Sequence, residues 1–521
     1  MQKLLIHITD DKLARMFPTT TPSTTSPETI AAIDLGSNSF HMIVARVVDN
    51  QFQVMDKLRE MVRLGAGLDP HRNLAPEVAE RALGCLERFG QRIRSLPQGT
   101  VRAVGTNTLR QIRDSGAFLR AAEEALGHPV EIIAGREEAR LVYLGVAHGL
   151  AAGEERRLVV DIGGGSTELI VGEGFTPRHM ESMHMGCVSM SRAHFSNGKI
   201  TARAMKKAEL AGALELRPVK MEYRRAGWQL ALGSSGTIRA IRTVIHRAGW
   251  CDEREGITYD ALEKLRDRLI EFGRVEQIDL DGLSSERRPV FSGGVAVLRA
   301  VFKALRIDQM QVSDMALREG LLYDMLGRIH HEDVREGSVR ALCRRYEVDM
   351  EQAGRVERTA RALFAQVAGS WGLQGGEYAE ILGWAARLHE IGLTVSHAQY
   401  HKHGAYLIAH SDMAGFSRQE QTVLAALVRS HRRKFPVDSF RALPEDITLC
   451  AMQLAVLLRL SVLLHRARSA TLRVDALLEV EGSQLALRFP EGWLETHPLP
   501  RMELKQEAKR LKKAGFRLKF H

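Results

Sequence analysis

Ala31-Ala32-Ile33-Asp34-Leu35-Gly36-Ser37-Asn38-Ser39 returns, in altered form, as Leu158-Val159-Val160-Asp161-Ile162-Gly163-Gly164-Gly165-Ser166-Thr167. Each copy is an apolar run that ends in Asp and passes through a Gly-containing turn with Ser. Each then leaves as a second β-prone run, 39–48 after the first turn and 168–171 after the second. Short apolar, β-branched runs bounded by such turns read as buried strands. Self-similarity at this level marks a duplicated unit, and it predicts two α/β lobes. The chemistry of the turns follows from their residues. Glycine lets the backbone bend sharply and approach a ligand, so that successive amides can point at one phosphate. Ser and Thr hydroxyls add donors. The aspartate would repel a phosphate and is suited instead to a divalent cation or its hydration water. One such turn alone is an ordinary hairpin; a matched pair predicts a cleft that grips a phosphate from both sides.

Outward from these turns, helical periodicity covers 76–94, opened by Pro76 in a first-turn position that suits proline. A strand at 101–104 leads to the loop Gly105-Thr106-Asn107-Thr108, a helix at 115–126 and a strand at 130–133. Gly135-Arg136-Glu137-Glu138-Ala139-Arg140-Leu141 then opens another helix. Adjacent glutamates at a helix start commonly do no more than complement its dipole. Here the helix begins just before the second turn, where a carboxylate could take the proton of a water attacking phosphorus. Two further glycine loops are expected, at Gly233-Ser234-Ser235-Gly236-Thr237 and at Ser292-Gly293-Gly294. Mixed β and α signals run to about residue 325. From 333 to about 470 helix formers dominate, and 471–490 alternates as a short hairpin. The segment 500–521 holds 8 Lys/Arg against 2 Asp/Glu. The expected organisation is a flexible Ser/Thr/Pro-rich tail (1–28), two α/β lobes (29–142 and 143–325), an all-α domain (326–470) and a small basic domain (471–521).

With 45% hydrophobic and 26% charged residues in 521, the composition is that of a soluble protein with several cores. It excludes a disordered, fibrous or disulfide-stapled chain. The 5 cysteines are odd in number, dispersed and never in a CxxC pair, which points to a reduced cytosolic compartment and away from structural zinc. Cys187 lacks an activating neighbour and reads as a packing residue. A net charge of +10 favours anionic partners such as phosphates, nucleotides or a membrane surface. MQKLLIHITD is too short and polar for a signal peptide. The apolar stretch 449–464, interrupted by Gln453, Arg459 and Ser461, reads as a buried helix. No GxxxxGK[ST] occurs and no GxGxxG follows a predicted strand, so a P-loop NTPase or a dinucleotide-binding dehydrogenase is disfavoured.

Seven stretches, in order, resemble the exopolyphosphatase/guanosine pentaphosphatase (Ppx/GppA) family. They are Asp34-Leu35-Gly36-Ser37-Asn38-Ser39-Phe40-His41, Gly105-Thr106-Asn107-Thr108-Leu109-Arg110 and Gly135-Arg136-Glu137-Glu138-Ala139-Arg140-Leu141. Then come Asp161-Ile162-Gly163-Gly164-Gly165-Ser166-Thr167-Glu168-Leu169, Met185-Gly186-Cys187-Val188-Ser189, Gly233-Ser234-Ser235-Gly236-Thr237 and Ala316-Leu317-Arg318-Glu319-Gly320. Together they cover about 30–325. The resemblance implies an α/β fold with a duplicated actin/Hsp70-like (ribonuclease H-like) core and Mg²⁺-assisted hydrolysis of a terminal phosphoanhydride. Carried over position by position, Glu138 would be the general base, Asp161 and Glu168 the Mg²⁺ ligands, and Arg110 a catalytic phosphate-binding arginine. Gly36, Ser37, Asn38, Gly163, Gly164, Gly165, Ser166, Gly233, Ser234, Ser235 and Gly236 would bind phosphates. An arginine suits its role because its planar fork pairs with phosphate oxygens.

The helical remainder, with Leu388-His389-Glu390-Ile391-Gly392, resembles an HD-type phosphohydrolase domain of the long bacterial members. It departs from that domain's metal pattern at Glu390, where an aspartate is required, and at Leu464-His465-Arg466, where no aspartate closes the site. A structural or substrate-channelling role is therefore expected, with His431-Arg432-Arg433-Lys434 as a cationic track for a long polyanion. On these grounds, and because the Gly105–Thr108 loop looks more like the exopolyphosphatases, the expected substrate is inorganic polyphosphate, with pppGpp as the alternative. A sugar- or acetate-kinase-like phosphotransferase is a different class; the Glu137-Glu138 pair favours water as the acceptor. The expected protein is a cytoplasmic homodimer, with peripheral association at the inner face of the membrane as an alternative location and no nucleic-acid partner.

Overall fold

A computed structural model describes residues 29–48, 51–97, 99–150, 155–252, 256–329, 333–373, 376–441, 443–469 and 476–521. The expected tail at 1–28 lies outside the described residues. The chain divides into two compact units, one spanning 25–330 and one containing 331–521.

The first unit contains two sheets. In the first, β1 (Thr29–Leu35), β2 (Phe40–Val48) and β3 (Gln51–Glu60) form an antiparallel meander, and β4 (Val101–Gly105) and β5 (Val130–Ile132) extend it in parallel, in the order β3-β2-β1-β4-β5. In the second, β6 (Arg156–Ile162), β7 (Thr167–Glu173) and β8 (Thr176–Met183) repeat the meander. β9 (Leu230–Ser234) and β11 (Gln309–Val312) extend it in parallel, and the two-residue β10 (Ile257–Thr258) closes the edge. The strand order is the same around both hairpins, so the repeat in the sequence is a repeat in space. The parallel extensions need crossovers, which the helices supply.

The inner strands are apolar because both faces are covered. Ala31, Ile33 and Leu35 face one core with Leu86 and Phe89. Ile30 and Ala32 face another, shared with Val159 and Ile170 of the second sheet and with two helices, Gly135–His148 and Leu317–Ile329. These helices pack closely through glycine: a Cβ on Gly145 would stand 2.8 Å from the Gly320 amide nitrogen. Ser292-Gly293-Gly294 is not a loop. It lies inside the helix Arg288–Leu305, where a Cβ on Gly293 would come 2.6 Å from the Cys187 carbonyl; the glycine serves close helix packing, not a turn. Cys187 is buried in this core.

The second unit is built from helices including Val334–Arg345, Met350–Val367, Gly376–Leu388, Tyr400–His410, Arg418–Ser430 and Glu445–Leu464. A three-stranded sheet follows, β12 (Leu477–Glu481), β13 (Gln484–Arg488) and β14 (Arg517–Phe520), with the helix Pro498–Lys513 leading into β14. The hairpin therefore begins at 477; its expected start at 471–474 lies outside the described residues. One core runs from Val339 through the helices to Leu518. The window Ile447–Leu464 is long and apolar enough to cross a membrane, but 83% of it is buried within the unit. Its Arg459 forms a buried ion pair with Glu507 at 2.5 Å, which explains a charge in the middle of an apolar helix.

Candidate functional site

The two hairpins present matching side chains to a common face. Asp34 pairs with His41 across β1 and β2, and Asp161 pairs with Glu168 across β6 and β7. Residues directly opposite on antiparallel strands project to the same side of the sheet. The first hairpin thus offers an Asp–His pair and the second an Asp–Glu pair, at identical spacing. The turns meet: a Cβ on Gly164 would stand 2.8 Å from Ser37 Cβ and 3.5 Å from the Asn38 amide nitrogen. Gly36, Ser37 and Asn38 accordingly lie with Gly163, Gly164, Gly165 and Ser166 at one locus. Asn107 packs against Gly165.

Gly233, Ser234, Ser235 and Gly236 form the junction between β9 and the helix Ser235–Arg247. Ser234 neighbours Asp161 in the parallel register of β6 and β9. Ser235 has φ 84°, a conformation that costs a non-glycine residue energy and that clusters at functional sites.

Glu138 sits in the first turn of the helix Gly135–His148 and is buried. Arg110 donates from Nη1 to Glu138 Oε2 at 2.9 Å and to the Ile133 carbonyl at 2.8 Å. The helix start lies close to β8, where Ser182 donates to Glu168 Oε1 at 2.8 Å. Arg318 donates to His41 Nδ1 at 3.3 Å, and Ser39 bonds the other ring nitrogen at 2.8 Å. Glu319 caps its own helix by accepting from the Ala316 amide at 3.0 Å.

These groups form an electrostatically strained set. Burial pushes the Asp34 carboxyl up to about 8; Glu138, Asp161 and Glu319 push the same way while Arg318 opposes them. Burial pushes Asp161 up to about 6, with a hydrogen bond from Ser234 opposing and Glu138 adding. Glu168 is held well above its usual range by burial, then by Glu138 and Asp161. Like-charged carboxylates out of water call for a cation. Asp34 Oδ1 is buried with no hydrogen-bond partner, and Asp161 and Glu168 stand side by side. Among the described residues no three His, Cys, Asp or Glu side chains converge as a ready-made cage. A small hard cation does not need one, since it typically takes one or two carboxylates and completes its shell with water and substrate phosphate oxygens. The residues fit such an ion.

The Asp34 shift has a measurable consequence. Between pH 3.8 and about 8, the folded protein holds a proton that the unfolded chain has released, so stability falls as pH rises through that window. Asp34→Asn should therefore raise the melting temperature of chelator-treated protein at pH 8, by on the order of 1–3 kcal/mol, and by much less at pH 5. Melting curves of both proteins from pH 5 to 8 check this; a gap independent of pH would refute it.

His41, Arg318 and Glu319 belong to stretches that were legible as motifs, but their roles were not. Ser182, Arg239 and Arg287 gave no local signal at all. The helical unit offers no second metal centre among the described residues. His389 and His431 are both buried there, each with Nδ1 bonded to a carbonyl of its own helix region, at 2.6 and 2.7 Å.

The model of the Ppx/GppA phosphatase family matches residues 43–329, and the model of Ppx/GppA phosphatase domain III matches 334–508. The chain is 39% identical over 491 residues to the guanosine-5′-triphosphate,3′-diphosphate pyrophosphatase of Vibrio cholerae, covering 94% of this chain and 97% of that protein. It is also 39% identical to the protein of the same name from Aeromonas hydrophila, with 93% and 97% covered. Among solved structures, an exopolyphosphatase from Cytophaga hutchinsonii shares the fold of the first unit, with TM-score 0.52 at 22% identity over 57% of this chain and 97% of that one.

The full-length relatives overturn inorganic polyphosphate as the leading substrate. The signals that favoured it were generic: net positive charge suits any polyanion, and both substrates end in the same phosphoanhydride. The proposed cationic track is also not an open stripe. His431 is buried, and Arg432 packs over the Tyr400 ring at 4.4 Å.

Proposed function

The chain belongs to the Ppx/GppA phosphatase family and is a hydrolase of phosphoanhydride bonds, and from that premise we propose that it removes the 5′-terminal phosphate of guanosine 5′-triphosphate,3′-diphosphate. The observation that carries the substrate is the 39% identity along 94% of the chain to a pyrophosphatase of that nucleotide. The chemistry rests on the buried Glu138 beside Arg110, next to two carboxylates on neighbouring strands.

The glycine turns at Gly36–Asn38 and Gly163–Ser166, with the junction Gly233–Gly236, hold the triphosphate through backbone amides and hydroxyls. Glu138 accepts a proton from the attacking water. The bond between the terminal phosphorus and its bridging oxygen breaks, giving orthophosphate and the guanosine tetraphosphate. Arg110 is placed to meet the negative charge of the terminal phosphoryl group. Asp161 and Glu168 would hold Mg²⁺, which when bound neutralises phosphate charge and orients the in-line attack.

Orthophosphate release from pppGpp, GTP and long-chain polyphosphate, each across a Mg²⁺ series, tests the reading. We expect the highest kcat/KM for pppGpp. Asp161→Asn should raise the Mg²⁺ concentration for half-maximal rate at least ~10-fold, the scale on which loss of a coordination-sphere partner acts. Polyphosphate cleavage at a kcat/KM equal to or above that of pppGpp would overturn the assignment.

A further inference from the structure

Three arginines come together in the first unit from separate elements: Arg59 on β3, Arg239 on the helix Ser235–Arg247, and Arg287 just before the helix Arg288–Leu305. The Arg287 guanidinium lies directly over Gly236, where any Cβ would collide with it; the bare backbone at this junction makes room for the cation. Arg59 and Arg239 both act on Arg287, and with burial as the largest cause they pull its guanidinium down to about 10. His41 of the first hairpin feels the same group. Burial and then the charges of Arg318, Arg59, Arg239 and Arg287 hold it well below its usual range.

The acidic residues near these arginines do not balance them. Glu286 stands 3.7 Å from Arg59 and Asp314 stands 3.8 Å from Arg239, with side chains 54% and 88% exposed; pairs so open to water contribute little. Among the described residues no carboxylate forms a salt bridge with Arg287. Arginines gathered from both lobes, one of them half-buried, are repulsive unless an anion completes them. They are also distinct from Arg110, which is engaged with Glu138 on the other hairpin's side of the carboxylates.

We propose that Arg59, Arg239 and Arg287 form a second anion subsite, which takes the diphosphate on the 3′ position of the nucleotide while the 5′-triphosphate occupies the carboxylate centre. This rests on the pppGpp reading and adds to it the residues that tell the pentaphosphate from GTP. Arginine forks match a diphosphate bidentately, and a substrate with a second phosphate arm supplies the missing negative charge.

The experiment compares kcat/KM for pppGpp and for GTP in the wild type, Arg287→Gln, Arg287→Lys and Arg59→Gln. The ratio of the two values should fall ~10–100-fold in Arg287→Gln, the scale of one lost charged hydrogen bond. The change should appear in KM, recover partly in Arg287→Lys, and be smaller but in the same direction in Arg59→Gln. Arg59 lies on an exposed strand, so that variant keeps the test valid if Arg287→Gln folds poorly. Equal losses on both nucleotides in Arg59→Gln and Arg287→Lys would overturn the subsite. A wild type that does not prefer pppGpp over GTP would instead overturn the substrate assignment beneath it.

Discussion

Glu138→Gln should lower kcat for pppGpp ~10²–10⁴-fold, the usual scale for a lost general base, and leave substrate affinity close to that of the wild type. The substitution is nearly isosteric, and a Gln oxygen can still accept from Arg110, which is held independently by the Ile133 carbonyl at 2.8 Å. The glycine turns that contact phosphate lie on other elements and are untouched. What disappears is the one feature that a proton from water requires, a basic carboxylate at this point. Single-turnover phosphate release together with nucleotide binding by calorimetry separates the two quantities. A variant that keeps more than a tenth of wild-type turnover would remove Glu138 as the base. If turnover were unchanged while binding persisted, the protein would be a nucleotide-sensing module, not a hydrolase acting through this residue.

The hairpins at the centre of the fold were legible because burial on both faces forces continuous apolar runs, and because the turn chemistry appears twice. The outer strands were not. β3 reads Gln-Phe-Gln-Val-Met-Asp-Lys-Leu-Arg-Glu and β8 reads Thr-Pro-Arg-His-Met-Glu-Ser-Met; both lie at sheet edges, where charged residues are retained and no apolar run forms. Ser292-Gly293-Gly294 was misread for the opposite reason, since glycine at a tight helix crossing carries the same letters as glycine in a turn. Within the site, residues inside a repeated motif could be named, whereas Arg239 and Arg287 become neighbours only through the crossover that returns the chain to β11. The matched spacing of Asp34 to His41 and Asp161 to Glu168 was a usable signal that His41 faces the cleft. Substrate choice was the weakest inference, because it depends on how charge is distributed away from the scissile bond and not on the motifs that break it.

The helices Gly135–His148 and Leu317–Ile329 carry Glu138, Arg318 and Glu319, and their relative position is set by a buried charge cluster. Asp324 accepts from Arg102 and from Arg140, each at 2.5 Å, and from Arg328 at 3.1 Å, while Arg140 also bridges to Glu137 and Arg102 to Glu131. Burial opposes ionisation of Asp324, but Arg140, Arg328 and Arg102 outweigh it and hold the carboxyl well below its usual range. Asp324→Asn keeps the shape and removes the charge, leaving Arg102 and Arg140 with one carboxylate each in a dry interior. Breaking one member of such a cluster typically costs ~3–5 kcal/mol, which corresponds to a drop of roughly 6–20 °C in melting temperature for a unit of this size. Because the folded-state pKa is depressed, this stabilisation is complete above the unfolded value of 3.8 and is lost as pH falls below it. The gap between wild type and Asp324→Asn should thus be wide at pH 7 and narrow towards pH 3. The same substitution should lower activity mainly by shortening the enzyme's half-life on warming, with kcat at low temperature far less affected than in Glu138→Gln. Thermal melts at pH 7 and pH 3.5, paired with rates at 15 °C and 40 °C, distinguish a cluster that holds the two helices together from one that takes part in the chemistry. A kcat at 15 °C as low as that of Glu138→Gln would place Asp324 in the reaction itself.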